Sequence, residues 1–224
     1  MDLPIIIFIV LYALVLCCYF ITRVGKNIKH RAINKYVMAT MYLILALVGF
    51  SLRHEVNSYH IILIGALILA WLGDIFLVFD LGRGGDFFMA ANICFFIYGI
   101  SVLYDNIYRF SSFWWVLLIT FVMLTTFIIL CQKLPKVFTL GKMRWPMTLY
   151  LLTIFMHGSM GIALITLLPG TNYMLLGIGS VSFMISDIIL TIDRFIYKNN
   201  KWIIRSNSLT YFGGLLLIAL SLVL

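Results

Sequence analysis

Two short aspartate motifs are the parts of this sequence best suited to chemistry. Residues 73–80 (GDIFLVFD) and 186–193 (SDIILTID) share a small residue followed by the pattern D-I-x-L-x-x-D. Each motif places its first aspartate, Asp74 or Asp187, inside a long apolar stretch, where a carboxyl is costly and normally faces a cavity or a polar partner. Two such carboxyls are suited to acid–base catalysis, in which one donates a proton while the other stays ionised.

The second aspartate of each motif is open to two interpretations. Asp80 and Asp193 fall near the ends of their apolar stretches, where the dipole at a helix C-terminus disfavours an anion. Arg83 and Arg194 follow closely and would compensate that charge. These side chains therefore either stabilise the helix ends or contribute to substrate binding.

Few other polar residues lie within apolar stretches. Asn92, Tyr150, His157 and Tyr211 are the candidates to line a cavity shared with the aspartates. A lone histidine in such a position is as compatible with packing as with catalysis. Because the histidines are not clustered and the four cysteines lack metal-ligand spacing, we expect no metal site and no cofactor.

The elements that must position these residues are membrane-spanning helices. Hydrophobic residues make up 63% of the 224 residues, charged residues only 11%, and the mean hydropathy is +1.09. Long, continuous apolar runs favour helices over membrane strands. The sequence predicts an all-α integral membrane protein with eight spans, at about 3–22, 36–52, 60–79, 86–103, 112–131, 146–167, 174–193 and 206–224.

The formal charge of +8 predicts the orientation of these spans. All but two of the 16 lysines and arginines fall in the first, third, fifth and seventh connections. The positive-inside rule therefore places these connections in the cytoplasm and both termini outside. This distribution accounts for the excess charge without a nucleic-acid partner, and the short connections favour a bacterial cytoplasmic membrane.

The two motifs also indicate an internal repeat. They lie in the third and seventh spans, four spans apart, so both run in the same direction, which predicts two parallel halves, 1–111 and 112–224, within a single polytopic domain. Both first aspartates would then lie at matching depth, roughly 8 Å inside the cytoplasmic edge. At that depth the two carboxyls can meet.

Together with residues 140–150 (LGKMRWPMTLY) and 209–212 (LTYF), the motifs resemble the lysoplasmalogenase family, also called YhhN-like proteins. The resemblance covers nearly the whole chain and implies an eight-helix enzyme that hydrolyses the vinyl ether bond of lysoplasmalogens. The products are a fatty aldehyde and a glycerophospho-base. It also implies that Asp74 and Asp187 are catalytic. For such a reaction we expect polar groups such as Asn92, Tyr150 and His157 to position glycerol or water. Basic residues of the cytoplasmic connections, for instance Lys142, Arg144 and Arg194, would hold the lipid phosphate.

The chain departs from the family in two places. A histidine is common in the family's fourth span and a glutamine in its eighth, whereas here the fourth span has no histidine and glycines follow Tyr211. The preference between lysoplasmenylethanolamine and lysoplasmenylcholine therefore stays open. Besides the lysophospholipid and the surrounding lipids, no protein partner is evident.

Three other functions remain to be weighed against the hydrolase. A proton-coupled transporter or channel would use the same aspartates and often has duplicated halves. An intramembrane aspartyl protease would carry the pattern G-x-G-D, but residues 71–74 are W-L-G-D. A purely structural role would leave the matched acids without explanation.

Overall fold

The protein folds into a bundle of helices. In this computed structural model, residues 3–24, 28–52, 57–107, 111–133, 144–193 and 200–223 are described. Within them the chain forms eight α-helices and no strand, which confirms the predicted fold class. The helices are α1 (Leu3–Thr22), α2 (Ile28–Leu52), α3 (Ser58–Phe76), α4 (Leu81–Ile107), α5 (Ser111–Lys133), α6 (Arg144–Leu167), α7 (Asn172–Ile192) and α8 (Lys201–Leu220).

The distribution of polarity is that of a multi-pass membrane protein. Among the described residues, seven helices are long and apolar enough to cross a bilayer, and the apolar part of α5 covers Trp114–Leu130. Large apolar side chains such as Leu14 and Ile61 are exposed, whereas Asn92 and His157 are completely buried. Apolar side chains can face lipid without cost, whereas polar side chains lie in the interior, where other helices provide hydrogen-bond partners.

Several helices are longer than the predicted spans. The second begins at Ile28 rather than near residue 36, and the eighth at Lys201 rather than near 206. The fourth covers Leu81–Ile107, so it begins five residues before the predicted span 86–103 and ends four residues after it. Hydropathy marks only the part of a helix in hydrocarbon, whereas polar turns continue it into the interface.

The connection between α3 and α4 explains the position of one motif aspartate. Asp80 precedes α4, and its Oδ1 accepts hydrogen bonds from the backbone N–H of Gly82 at 2.8 Å and of Arg83 at 3.4 Å. The turn is tight, and it brings Gly84 so close to Leu77 that a Cβ on Gly84 would lie 2.8 Å from the Leu77 backbone. The motif's second aspartate therefore caps the N-terminus of α4.

Glycines allow α7 to pack closely against two neighbours. A Cβ on Gly161 of α6 would lie 2.8 Å from the carbonyl oxygen of Gly177, and one on Gly179 would lie 2.6 Å from that of Gly214 on α8. Small residues let membrane helices approach closely where no hydrophobic effect drives them together. These contacts hold α6, α7 and α8 side by side, with the second motif in the middle.

The same neighbour relations occur in both halves of the chain. The second helix packs on α1, α3 and α8, while α6 packs on α5, α7 and α4. Exchanging α1–α4 for α5–α8 converts the first set of neighbours into the second. This pattern supports the repeat at 1–111 and 112–224, which stays a prediction.

Candidate functional site

One cavity of about 510 Å³ lies at the end of the bundle where the first, third, fifth and seventh connections are. Its walls come from the C-terminal ends of α1, α3 and α7, from the N-terminal parts of α2, α4 and α6, and from the middle of α8. The size is typical of sites for small ligands. Both Asp74 and Asp187 line it.

Asp74 is held by three side chains from two other helices. The hydroxyl of Tyr211 on α8 donates to Oδ2 at 2.8 Å, and the hydroxyl of Tyr42 on α2 donates to the same atom at 3.3 Å. The ammonium of Lys35 lies 3.1 Å from Oδ1 and donates to the backbone carbonyl of Asp74 at 3.2 Å. With the carboxyl 1% exposed, these contacts suit an ionised group.

The two oxygens of this carboxylate have different partners. The Lys35 ammonium lies 3.1 Å from Oδ1, which is buried, whereas Oδ2 accepts from the two tyrosine hydroxyls. Asp74 is therefore held at both oxygens by donors from α2 and α8.

Asp187 has a less polar environment. The hydroxyl of Tyr150 on α6 donates to Oδ2 at 3.0 Å, and among the described residues no cation lies within ion-pair distance of this carboxyl. On the preceding residue, Ser186, the carbonyl and the hydroxyl oxygen accept from the side-chain amide of Asn207 at 2.7 and 2.9 Å. That clamp holds α8 against α7 beside the carboxyl.

The other predicted site residues divide into two groups. Tyr150 and Tyr211 line the cavity and bond to the two carboxyls. Asn92 and His157 are not among the described residues lining it. Instead, His157 Nδ1 lies 2.9 Å from Asn92 Oδ1, and Nε2 lies 2.9 Å from the hydroxyl of Ser180. This buried network joins α4, α6 and α7.

The remaining predicted residues lie outside the cavity lining or outside the described ranges. Asp80 is exposed and pairs with Arg83 at 3.5 Å besides capping α4. Oδ1 of Asp193 accepts from the backbone N–H of Asn200 at 3.0 Å, next to the start of α8. Both contacts are typical of helix-end stabilisation. Arg194 and Lys142 lie outside the described residues, and so does the side chain of Arg144.

Sequence reasoning missed two basic residues of the cavity. Lys35 and Arg23 were counted only as topology signals, yet both line the cavity. A signal for Lys35 was present, because it precedes Tyr42 by seven residues and the two share a helix face. For Arg23, which follows α1, no comparable pattern exists.

A protein-family model, the YhhN family, matches residues 35–222. The chain belongs to the YhhN family. This family includes lysoplasmalogenases. The matched region begins at Lys35 and contains both carboxyls with all their hydrogen-bond partners described above. No curated protein and no solved structure matches the chain.

Proposed function

We propose that this YhhN-family protein is a membrane hydrolase that cleaves the vinyl ether bond of lysoplasmalogens. The observation that carries the proposal is the pair of buried carboxyls, Asp74 and Asp187, on the wall of one cavity. The family's inclusion of lysoplasmalogenases supports the choice of substrate. Lysoplasmenylethanolamine and lysoplasmenylcholine are the expected substrates.

The different surroundings of the two carboxyls support different roles. Asp74 has a lysine and two tyrosine hydroxyls, which favour its ionised form. Asp187 has a single hydroxyl donor and is 5% exposed, and apolar burial favours the neutral form of a carboxyl. We therefore assign Asp187 as the proton donor and Asp74 as the anion.

The reaction proceeds by protonation of carbon. Asp187 transfers its proton to the second carbon of the alkenyl chain, forming a C–H bond and an oxocarbenium ion that the Asp74 carboxylate stabilises. Water held by Asp74 attacks the first carbon and gives its proton to Asp74, as a paired carboxylate does in glycoside hydrolysis. The hemiacetal then collapses: its hydroxyl proton returns to Asp187, the bond to the glycerol oxygen breaks, and that oxygen takes the proton from Asp74.

The first test measures fatty aldehyde release by the purified protein in detergent. We expect release from both lysoplasmenyl lipids and none from the matching acyl lysophospholipids, which lack the vinyl ether. In D₂O the aldehyde should carry one deuterium on the carbon next to the carbonyl, because the new C–H bond takes its hydrogen from the exchangeable carboxyl. A folded protein that released no aldehyde would contradict the proposal, and proton flux in liposomes would then be the next measurement.

Variants test whether the carboxyls carry the activity. Asp187→Asn keeps an oxygen that Tyr150 can bond to, so it should fold. Asp193→Asn changes the same residue type on the same polypeptide segment, outside the cavity lining, and is the matched control. Loss of release in both variants, or in neither, would argue against the assigned role of Asp187.

A further inference from the structure

Arg23 is a cavity cation that forms no ion pair with any carboxylate in the described part of the chain. It lies just after α1, and its Nε donates to the hydroxyl of Ser208 on α8 at 3.3 Å. Its guanidinium carbon is 5.8 Å from the centre of the Tyr19 ring. Among the described residues, the ion pairs are Lys35 with Asp74 and Arg83 with Asp80, so no described carboxylate compensates Arg23.

The two basic residues of the cavity therefore differ in function. Lys35 is neutralised by a buried partner, whereas Arg23 presents an uncompensated charge beside a hydroxyl. A guanidinium offers several N–H donors in a planar fork that matches phosphate oxygens, and such charge-assisted hydrogen bonds are strong. This part of the wall is suited to an anion.

A different part of the cavity reaches the outer surface of the bundle. Trp145 and Leu149 of α6 line the cavity and are 76% and 55% exposed, and Met89 of α4 lies in the same lining. Besides these three apolar side chains, the described lining at this mouth includes Asp86, an exposed acid on α4. Its negative charge disfavours an anionic group there.

Arg23 and the apolar mouth lie on different walls of the cavity, since Arg23 follows α1 and the mouth is formed by α4 and α6. The first helix packs on α2 and α8, while α4 packs on α3 and α6. The walls that carry the carboxyls, α3 and α7, also contribute to the lining. An amphiphile with its anionic group at Arg23 and its chain at the α4–α6 mouth would thus pass the carboxyl pair.

We propose that Arg23, positioned by Ser208, binds the phosphate of a single-chain ether phospholipid whose hydrocarbon chain extends to the mouth between α4 and α6. The identity of this ligand rests on the proposed function. The subsite itself rests on the uncompensated guanidinium in the cavity. It selects phospholipid over the corresponding neutral glycerol ether.

The test uses ligands that the proposed reaction cannot cleave. Saturated 1-O-alkylglycerophosphoethanolamine and 1-O-alkylglycerol of equal chain length are compared as competitors of the radiolabelled phospholipid in neutral detergent. We expect the intact protein to bind the phospholipid more tightly than the glycerol ether. Arg23→Gln should weaken phospholipid binding about 10- to 100-fold, as for a lost hydrogen bond to a charged group, and change binding of the glycerol ether less than about 3-fold.

Arg205→Gln is the matched control. Arg205 lies on α8 at the same end of the bundle, and its Nε donates to the carbonyl of Phe20 at 3.2 Å, but it is not among the described cavity residues. Removing this charge should leave both affinities within about 2-fold, because a charge outside the cavity acts only through screened, long-range attraction. Arg23→Lys should recover part of the lost phospholipid affinity, because it restores the charge without the fork.

Two results would overturn the subsite. One is an Arg23→Gln variant that keeps the intact protein's preference for the phospholipid. The other is displacement by inorganic phosphate at concentrations similar to the phospholipid, which would assign Arg23 to a free anion. Because neither ligand is hydrolysed, normal phospholipid binding without aldehyde release would contradict the proposed function alone.

Discussion

The surroundings of Asp74 and Asp187 differ although their motifs match. Asp74 has a lysine at one oxygen and two tyrosine hydroxyls at the other. Asp187 has one tyrosine hydroxyl and no ion-pair partner among the described residues. A repeated motif thus supplies two carboxyls at one cavity, and the side chains of the surrounding helices give them different partners.

This inequality predicts that the largest effect follows from removing the proton donor. Asp187→Asn should lower the turnover rate by about 10³-fold or more, within the range of general-acid contributions. Its melting temperature should change little because only one hydrogen bond to the side chain is affected. Aldehyde release per folded protein measures this effect, with Asp193→Asn as the control. Comparable activity in the two variants would contradict the role of Asp187 as proton donor.

Lys35→Met tests whether the lysine is what makes Asp74 the anion. Removing one partner of a buried ion pair costs about 3–5 kcal/mol of stability, and loss of the anion should lower turnover about 100-fold. The double variant Lys35→Met with Asp74→Asn contains neither charge. It should regain most of the lost stability but not the activity, as measured by thermal melting and aldehyde release. If the double variant did not regain stability, the unpaired charge of Asp74 would not be the cause of the stability lost in Lys35→Met.

The two tyrosines that donate to Asp74 should contribute unequally to turnover. Tyr211→Phe removes the 2.8 Å bond and should lower turnover about 10-fold, since a hydrogen bond to a charged group contributes about 1.5–3 kcal/mol. Tyr42→Phe removes the 3.3 Å bond to the same oxygen and should lower it less. Aldehyde release by the two variants, normalised to folded protein, ranks them. A larger effect at Tyr42 would mean that another geometry operates during turnover.

His157→Phe should affect stability rather than turnover. Phenylalanine keeps the ring stacked on Phe95, now at 4.7 Å, but leaves the amide of Asn92 and the hydroxyl of Ser180 without the imidazole. We expect a loss of about 1–3 kcal/mol, the cost of unsatisfied buried groups, and turnover within about 3-fold. Melting curves and initial rates measured together decide this, and a 100-fold loss of rate in a stable variant would make His157 part of the chemistry.

The smallest effect is expected at the second aspartate of the first motif. Asp80→Ala removes the cap of α4 and should cost about 0.5–2 kcal/mol, with no change in turnover. Its pairing with Arg83 adds little because both side chains are exposed. Thermal melting detects the loss of the cap. A marked fall in aldehyde release would return Asp80 to the candidate substrate-binding residues.

The two basic residues of the cavity and the tyrosines that bond to Asp74 could not be predicted from sequence patterns alone. Lys35 and Arg23 looked like topology signals because a single sequence shows charge and spacing but not which helices become neighbours. Tyr42 and Tyr211 are 32 and 137 residues from Asp74, and no local period relates such distant positions. Asn92 and His157 looked equivalent to Tyr150 and Tyr211 for the same reason.

The sequence by itself determined the membrane environment, the all-helical fold, the family and the repeated aspartate motif. These follow from composition, from the length of apolar runs and from a repeated local motif, all of which act along the chain. Only the tertiary structure decided that Asp74 is charge-paired, that Asp187 is not paired with a described cation, and that Asn92 and His157 form a separate network. Those differences depend on which side chains face each other across packed helices.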